Sequence, residues 1–190
     1  SAEVIRNAAG FGINDFGENY LQEALVKMDL LRDLNLTWHF IGPLQSNKTK
    51  LIAEKFNWIH SLDRLSVAKQ LSKKRPSELD PLNVCIQVNI SNEISKSGCL
   101  PEEVSNLILD VRSLPRLRLR GLMIIPEAID KRKQRSNPFE RVRRLFDTCT
   151  NLEKELDTLS MGMSDDFELA IEHGSTMIRL GTALFGPRNR

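Results

Sequence analysis

The sequence predicts a single-domain α/β protein of the (β/α)₈ TIM-barrel type, with the first strand absent from residues 1–190. Short apolar strands and amphipathic helices alternate along the whole chain, which is typical of parallel strands joined by crossover helices. We count seven strand–helix units after one initial helix end. A flavodoxin-like open sheet is the alternative, but it usually stops at five or six strands. A closed barrel needs eight, so we expect the missing unit to precede Ser1.

The elements are predicted in order from periodicity and from turn residues. Residues 2–9 form a helix end closed by Gly10, and Asp63 is expected to cap the predicted helix 63–74. The predicted strands are 13–16, 37–41, 58–61, 83–90, 117–124, 159–163 and 177–180. The predicted helices are 19–34, 47–56, 63–74, 101–112, 138–156 and a short one near 167–171.

The fourth predicted strand supports closure into a barrel. Its alternate residues form one apolar face, and Cys85, Gln87 and Asn89 form the other. A central strand of an open parallel sheet would be apolar on both faces, so this polar face indicates a wet interior. In the second strand, Trp38 and Phe40 should pack outward and leave His39 inside as a hydrogen-bonded interior histidine.

Composition excludes several classes of protein. The formal net charge is only +2, and the basic run at 131–135 lacks interleaved aromatics, so we expect no nucleic-acid partner. Three cysteines without metal-ligand spacing indicate free thiols in a reducing, cytoplasmic compartment and no metal. No apolar run is long enough to span a bilayer, so we expect no membrane partner. We expect a monomer.

The last thirty residues carry the predicted ligand site. Two strand-to-helix turns, one at Ser164 and one at Gly181-Thr182, are rich in the residues that expose backbone N–H groups. Such groups suit a phosphate, and barrel phosphate sites often follow the last two strands. Strand alternation turns Arg179 into the barrel, where a buried guanidinium must have a partner. That partner is either a carboxylate of the protein or an acceptor on a ligand.

Seven runs of residues form a recognisable set: FGENY (16–20), WHFIGPLQSNK (38–48), NIS (89–91), KSG (96–98), RGLM (120–123), SMGMSDD (160–166) and RLGTALFG (179–186). In these runs the chain resembles a known family, the pyridoxal phosphate homeostasis proteins, which are single-domain relatives of the alanine racemase barrel. The resemblance spans residues 1–190.

The resemblance implies a pyridoxal 5′-phosphate (PLP) site and no catalytic residue. It implies that Ser164 and the backbone of Gly181 and Thr182, with Gly162 in the same region, hold the phosphate. It implies that Arg179 faces the pyridine nitrogen. It also places Met161 and Met123 near the ring and Asn47 near the mouth of the site.

The same resemblance implies an intracellular carrier that buffers PLP or delivers it, transiently, to apo PLP enzymes. A PLP-dependent amino-acid racemase is the alternative. Racemases take a second proton donor from a tyrosine of a separate C-terminal domain, and we expect none here. A phosphosugar enzyme on the same barrel would need a carboxylate at a strand end, for which Glu18 is the candidate.

The lysine that bonds the aldehyde of PLP in this family ends the first strand, and no matching stretch occurs in residues 1–190. We therefore expect it upstream of Ser1. Lys96 follows the fourth predicted strand and is the other amine to consider, although a solvated loop lysine is the simpler interpretation.

Overall fold

Seven parallel strands form one sheet in the order in which they occur along the chain. The structure, a computed structural model, describes residues 1–91, 96–126 and 137–186. This sequential order lacks the reversal that defines a flavodoxin-like sheet. The strands are β1 Asp15–Glu18, β2 Thr37–Phe40, β3 Trp58–Leu62, β4 Leu82–Gln87, β5 Leu117–Met123, β6 Thr158–Met163 and β7 Met177–Arg179.

The helices are α1 Ala2–Gly10, α2 Leu21–Leu30, α3 Thr49–Lys55, α4 Leu65–Lys74, α5 Val104–Arg112, α6 Pro138–Leu152, α7 Phe167–Glu172 and α8 Thr182–Phe185. Helices α2 to α7 connect consecutive strands, as a parallel sheet requires, whereas α1 precedes β1 and α8 follows β7. Short 3₁₀ turns at Ser46–Lys48 and Pro101–Glu103 precede α3 and α5. Within the described ranges, none of the helices is long and apolar enough to cross a membrane.

The sheet curls into a nearly closed barrel. His60 Nδ1 on β3 lies 2.9 Å from Ser160 Oγ on β6, although these strands are three places apart in the sheet. In a flat sheet, three strand spacings would separate them by about 14 Å. The interior is therefore bridged by side chains that point inward from opposite walls, and the predicted barrel class is confirmed.

The main hydrophobic core lies between the outer face of the sheet and the helices. Val84, Ile86, Val88 and Ile90 belong to it, whereas Cys85 belongs to a second cluster inside the barrel. Trp38 and Phe40 also pack in the main core. The predicted outward faces of the second and fourth strands are therefore confirmed, and so is the inward position of Cys85.

Two predicted strand boundaries and one predicted helix cap were wrong. β1 begins at Asp15 instead of Ile13, because its register is set by the pairing of Asp15 with Thr37. β4 ends at Gln87, after which Val88 forms an isolated bridge with Cys99 in the following loop. Asp63 does not cap α4; it pairs with the Arg64 side chain at 2.6 Å.

Candidate functional site

The barrel interior is filled at one level by apolar side chains. Trp58, Cys85 and Met123 form a buried cluster against which Met177 packs. Burial raises the pKa of the Cys85 thiol to about 12, so this thiol is not a nucleophile at neutral pH. All three cysteines are free and buried, as the sequence predicts for thiols outside a disulfide framework.

Arg179 extends into the interior from the last residue of β7. Its Nη1 donates to Ser160 Oγ at 2.7 Å, and its Nη2 donates to the Ile124 carbonyl oxygen at 2.8 Å. Burial lowers the pKa of Arg179 to about 10, so the guanidinium stays charged at neutral pH. Among the described residues no carboxylate lies within ion-pair distance of it. The two acceptors that these residues supply are neutral, which fits an acceptor atom on a ligand as a further partner.

Two histidines continue from Ser160 across the barrel. His60 Nδ1 lies 2.9 Å from Ser160 Oγ, and His60 Nε2 lies 2.9 Å from His39 Nδ1. His39 Nε2 in turn lies 3.0 Å from Asp15 Oδ1. His39 is therefore the hydrogen-bonded interior histidine that the alternation of β2 predicts. Its ring also stacks on Trp58, with 5.4 Å between ring centroids.

Sequence reasoning missed the roles of Asp15, His60 and Ser160. A signal for His60 was available, because Trp58 and His60 alternate with Ile59 along β3 and a polar residue on an inner strand face needs a partner. The identity of that partner could not be read locally, since Ser160 is separated from His60 by one hundred residues along the chain.

The two predicted phosphate turns meet at the carboxyl end of the barrel. Ser164 Oγ accepts hydrogen bonds from the backbone N–H of Gly181 at 3.3 Å and of Ala183 at 3.0 Å. These donors follow β7, and Ser164 follows β6. The hydroxyl oxygen thus occupies a place where backbone donors converge, and such a place suits an anionic oxygen.

A carboxylate that faced the predicted phosphate turns would repel a phosphate, but the carboxylate of Asp166 bonds to the backbone instead. Its Oδ1 accepts from the Met163 backbone N–H at 2.6 Å. The carboxylate is therefore turned back onto the end of β6. It does contribute to the electrostatic environment of Arg179, where it favours the charged form.

The remaining predicted site residues are spread over several environments. Met123 is fully buried in the interior cluster. Met161 is equally buried, but it belongs to the main core outside the sheet, which does not support a place near the ring. Gly162 has φ +96° and packs closely against Ala170 of α7. Asn47 is exposed in the 3₁₀ turn after β2.

The carboxylate of Glu18, the candidate for a phosphosugar enzyme, lies outside the barrel interior. Glu18 points to the helical side of β1, where its Oε1 accepts from Lys27 Nζ at 2.7 Å. The phosphosugar interpretation therefore lacks its carboxylate. Lys96 is partly buried, and its carbonyl oxygen accepts from Asn89 Nδ2 at 3.4 Å. The basic run at 131–135 lies outside the described residues.

Sequence comparisons identify close relatives of the chain. The Pseudomonas aeruginosa protein named pyridoxal phosphate homeostasis protein is 57% identical over 188 residues, which cover 99% of this chain and 80% of that protein. The Escherichia coli K12 protein of the same name is 50% identical over 194 aligned residues, covering 99% and 82% of the two chains.

Solved structures agree with the sequence relatives. PipY from Synechococcus elongatus, solved with PLP bound, superposes with a TM-score of 0.87 at 35% identity, covering 97% of this chain and 87% of that one. Alanine racemase from Clostridium difficile, at 14% identity and TM-score 0.74, covers 100% of this chain and 49% of the racemase; it shows the fold alone. The family model described as "Alanine racemase, N-terminal domain" matches residues 1–189, and the chain belongs to that family.

Proposed function

We propose that the protein binds pyridoxal 5′-phosphate and serves in intracellular PLP homeostasis, without catalytic turnover. The observation that carries this proposal is the meeting of Ser164 with the backbone donors of Gly181 and Ala183, beside an interior Arg179 whose partners among the described residues are neutral. A relative of the same fold, PipY, has been solved with PLP bound.

Each end of the ligand is assigned to residues of complementary chemistry. The phosphate is held by Ser164 and by the backbone of Gly181 and Thr182, at the turns that follow β6 and β7. Gly162 allows the end of β6 to approach α7, and so sets the position of the Ser164 turn. Arg179 donates to the pyridine nitrogen. The side chain of Met123 lies inside the barrel, and Asn47 lies near the mouth.

The charge of Arg179 argues against carbanion chemistry. Bound PLP supplies an aldehyde and a ring that can accept electrons. The ring accepts electrons best when its nitrogen is protonated, and a guanidinium donor opposite that nitrogen keeps it unprotonated. An amino-acid racemase is the alternative function. Deuterium exchange at the α-carbon of alanine, measured with PLP-loaded protein, should show no turnover, and steady turnover would favour the racemase.

The proposal also covers partners and location. We propose that PLP passes transiently to apo PLP enzymes, and that the protein works as a monomer in the cytoplasm. Three free and buried thiols fit a reducing compartment. PLP transfer to an apo enzyme, followed by recovery of that enzyme's activity, tests delivery.

Ser164→Ala tests the phosphate assignment. Loss of a hydrogen bond to a charged group is worth about 1.5–3 kcal/mol, so PLP affinity should fall about ten-fold or more. Isothermal titration would measure the change. Ser113→Ala is the matched control, because that hydroxyl bonds to the Asp110 carbonyl at the end of α5. Equal affinity of the wild-type protein for PLP and for pyridoxal would contradict a phosphate site.

Arg179→Glu tests the assignment at the other end of the ring. A carboxylate facing the pyridine nitrogen favours its protonation, so the absorbance of the bound cofactor should shift and PLP should be held more weakly. Arg32→Glu, at a highly exposed position after α2, controls for the change in net charge. An unchanged spectrum and affinity in Arg179→Glu would mean that Arg179 serves only the protein.

A further inference from the structure

A single series of hydrogen bonds crosses the barrel from Arg179 to a carboxylate on the opposite edge of the sheet. It runs from Arg179 on β7 to Ser160 on β6, His60 on β3, His39 on β2 and Asp15 on β1, with heavy-atom separations of 2.7, 2.9, 2.9 and 3.0 Å. Arg179 is the last residue of β7 and Asp15 is the first of β1. The series therefore joins opposite ends of two strands.

The two ends fix the direction of every hydrogen bond between them. A guanidinium only donates, and an ionised carboxylate only accepts. Asp15 must therefore receive the Nε2 proton of His39. A neutral His39 then accepts at Nδ1 from His60 Nε2–H, and a neutral His60 accepts at Nδ1 from the Ser160 hydroxyl. Ser160 Oγ keeps its lone pairs for Arg179, so every donor has an acceptor.

The surroundings favour the neutral form of both histidines. Burial lowers the pKa of His60 well below its usual range, and the neighbouring His39 and Arg179 lower it further. Burial also lowers the pKa of His39, while the hydrogen bond and the charge of Asp15 act in the opposite direction. The other groups that contribute near Arg179 are the Cys85 thiol from β4 and the Asp166 carboxylate after β6. Trp58 covers one face of the His39 ring without adding charge.

We propose that Asp15 is a remote positioning residue for Arg179, acting through the directed series formed by His39, His60 and Ser160. No carboxylate among the described residues pairs with Arg179, so Asp15 is the anion at the far end of its hydrogen bonds. The Asp15 side chain is 68% exposed, whereas both histidines are buried. A carboxylate at the surface thus selects the tautomers that leave Ser160 free to accept from Arg179.

The contact between Arg179 and the ligand rests on the proposed function. The direction of the hydrogen bonds between Arg179 and Asp15 does not, because those bonds involve protein atoms alone. Nitrogen-15 NMR of the histidine side chains, without added cofactor, tests the direction. At pH 7 both His39 and His60 should be neutral Nε2–H tautomers. An Nδ1–H tautomer or a charged ring at either position would overturn the proposal, whether or not the protein binds PLP.

Asp15→Asn tests the contribution of the carboxylate charge. Because that charge favours protonation of His39, the pH at which His39 gains a proton should fall in the variant. Asp29→Asn removes a carboxylate from an exposed position on α2 and should leave the His39 titration unchanged. Identical His39 titrations in Asp15→Asn and the wild-type protein would remove Asp15 from the series.

Ser160→Ala tests whether the series positions Arg179 for the ligand. PLP affinity should fall about ten-fold, with a shift in the spectrum of the bound cofactor. Ser72→Ala is the matched control, because Ser72 is also buried and its hydroxyl donates to the Pro115 carbonyl far from the interior. Equal PLP affinity and equal spectra in the two variants would overturn the positioning role. Failure of the wild-type protein to bind PLP would instead count against the proposed function.

Discussion

At the scale of single residues, the interior of the barrel holds two buried histidines, His39 and His60, whose pKa values are lowered by burial. His60 is almost inaccessible to solvent and lies between His39 and the charged Arg179. A second positive charge there would have to be desolvated beside the first. This conflict, which lowers the pKa of His60, makes the folded state sensitive to acid in a range where few other groups titrate.

The sign of the pH effect follows from proton binding in the two states. Unfolded His60 takes up a proton near pH 6.5, whereas folded His60 stays neutral until a much lower pH. The unfolded state therefore binds more protons below pH 6.5, and the free energy of unfolding falls as the pH drops. Each such histidine contributes at most about 1.4 kcal/mol per pH unit. Salt-bridged carboxylates such as Asp157 lose their pairing only at lower pH.

Urea denaturation between pH 7 and pH 5 measures this effect. The wild-type protein should lose stability steadily below pH 6.5. His60→Gln, which cannot take up a proton, should show a shallower dependence, even if its stability at pH 7 is lower. Parallel pH profiles for the two proteins would show that His60 does not titrate differently on folding.

The sequence predicted the orientation of some of these residues but not their contacts. The inward positions of His39 and Arg179 follow from the two-residue period of a strand, which is a local property. The bond between His60 and Ser160 depends on the sheet curling until β3 and β6 face each other. No local pattern in β3 or β6 contains that information.

At the scale of elements, the turn after β6 depends on close packing of strand against helix. Gly162 has φ +96°, and a Cβ added there would lie 2.7 Å from the Cβ of Ala170 in α7. Both the backbone conformation and the lack of space therefore favour glycine. The motif around 160–166 was recognised in the sequence, but the tight approach of α7 that explains its glycine is visible only in three dimensions.

Gly162→Ala should destabilise the fold by about 1–3 kcal/mol, because strain in the backbone adds to the contact with Ala170. Gly10→Ala is the control. Gly10 ends α1 and has nothing within 4 Å of an added Cβ, so alanine there should be neutral or stabilising by up to about 1 kcal/mol. Thermal denaturation of both variants makes the comparison, and equal losses of stability would contradict it.

At the scale of the whole molecule, the described sheet has two outer strands. β1 pairs with β2 and β7 pairs with β6, and the described residues supply neither with a second neighbour. In a closed barrel every strand has two neighbours. The alternation of strands and helices predicted the parallel order of all seven strands, because crossover connections leave few other topologies. A strand that would close the barrel between β1 and β7 could be inferred only by counting.

We propose that this strand precedes Ser1 in the natural polypeptide, completes a single barrel domain with residues 1–190, and carries the lysine that bonds the aldehyde of PLP. The natural protein should then be a soluble monomer heavier than 21.6 kDa, the mass of residues 1–190. Borohydride should fix one PLP to a lysine upstream of Ser1, as located by peptide mapping. Residues 1–190 expressed alone should associate through the exposed edges of β1 and β7. A stable monomer of 21.6 kDa, or fixation of PLP at Lys96, would contradict this arrangement.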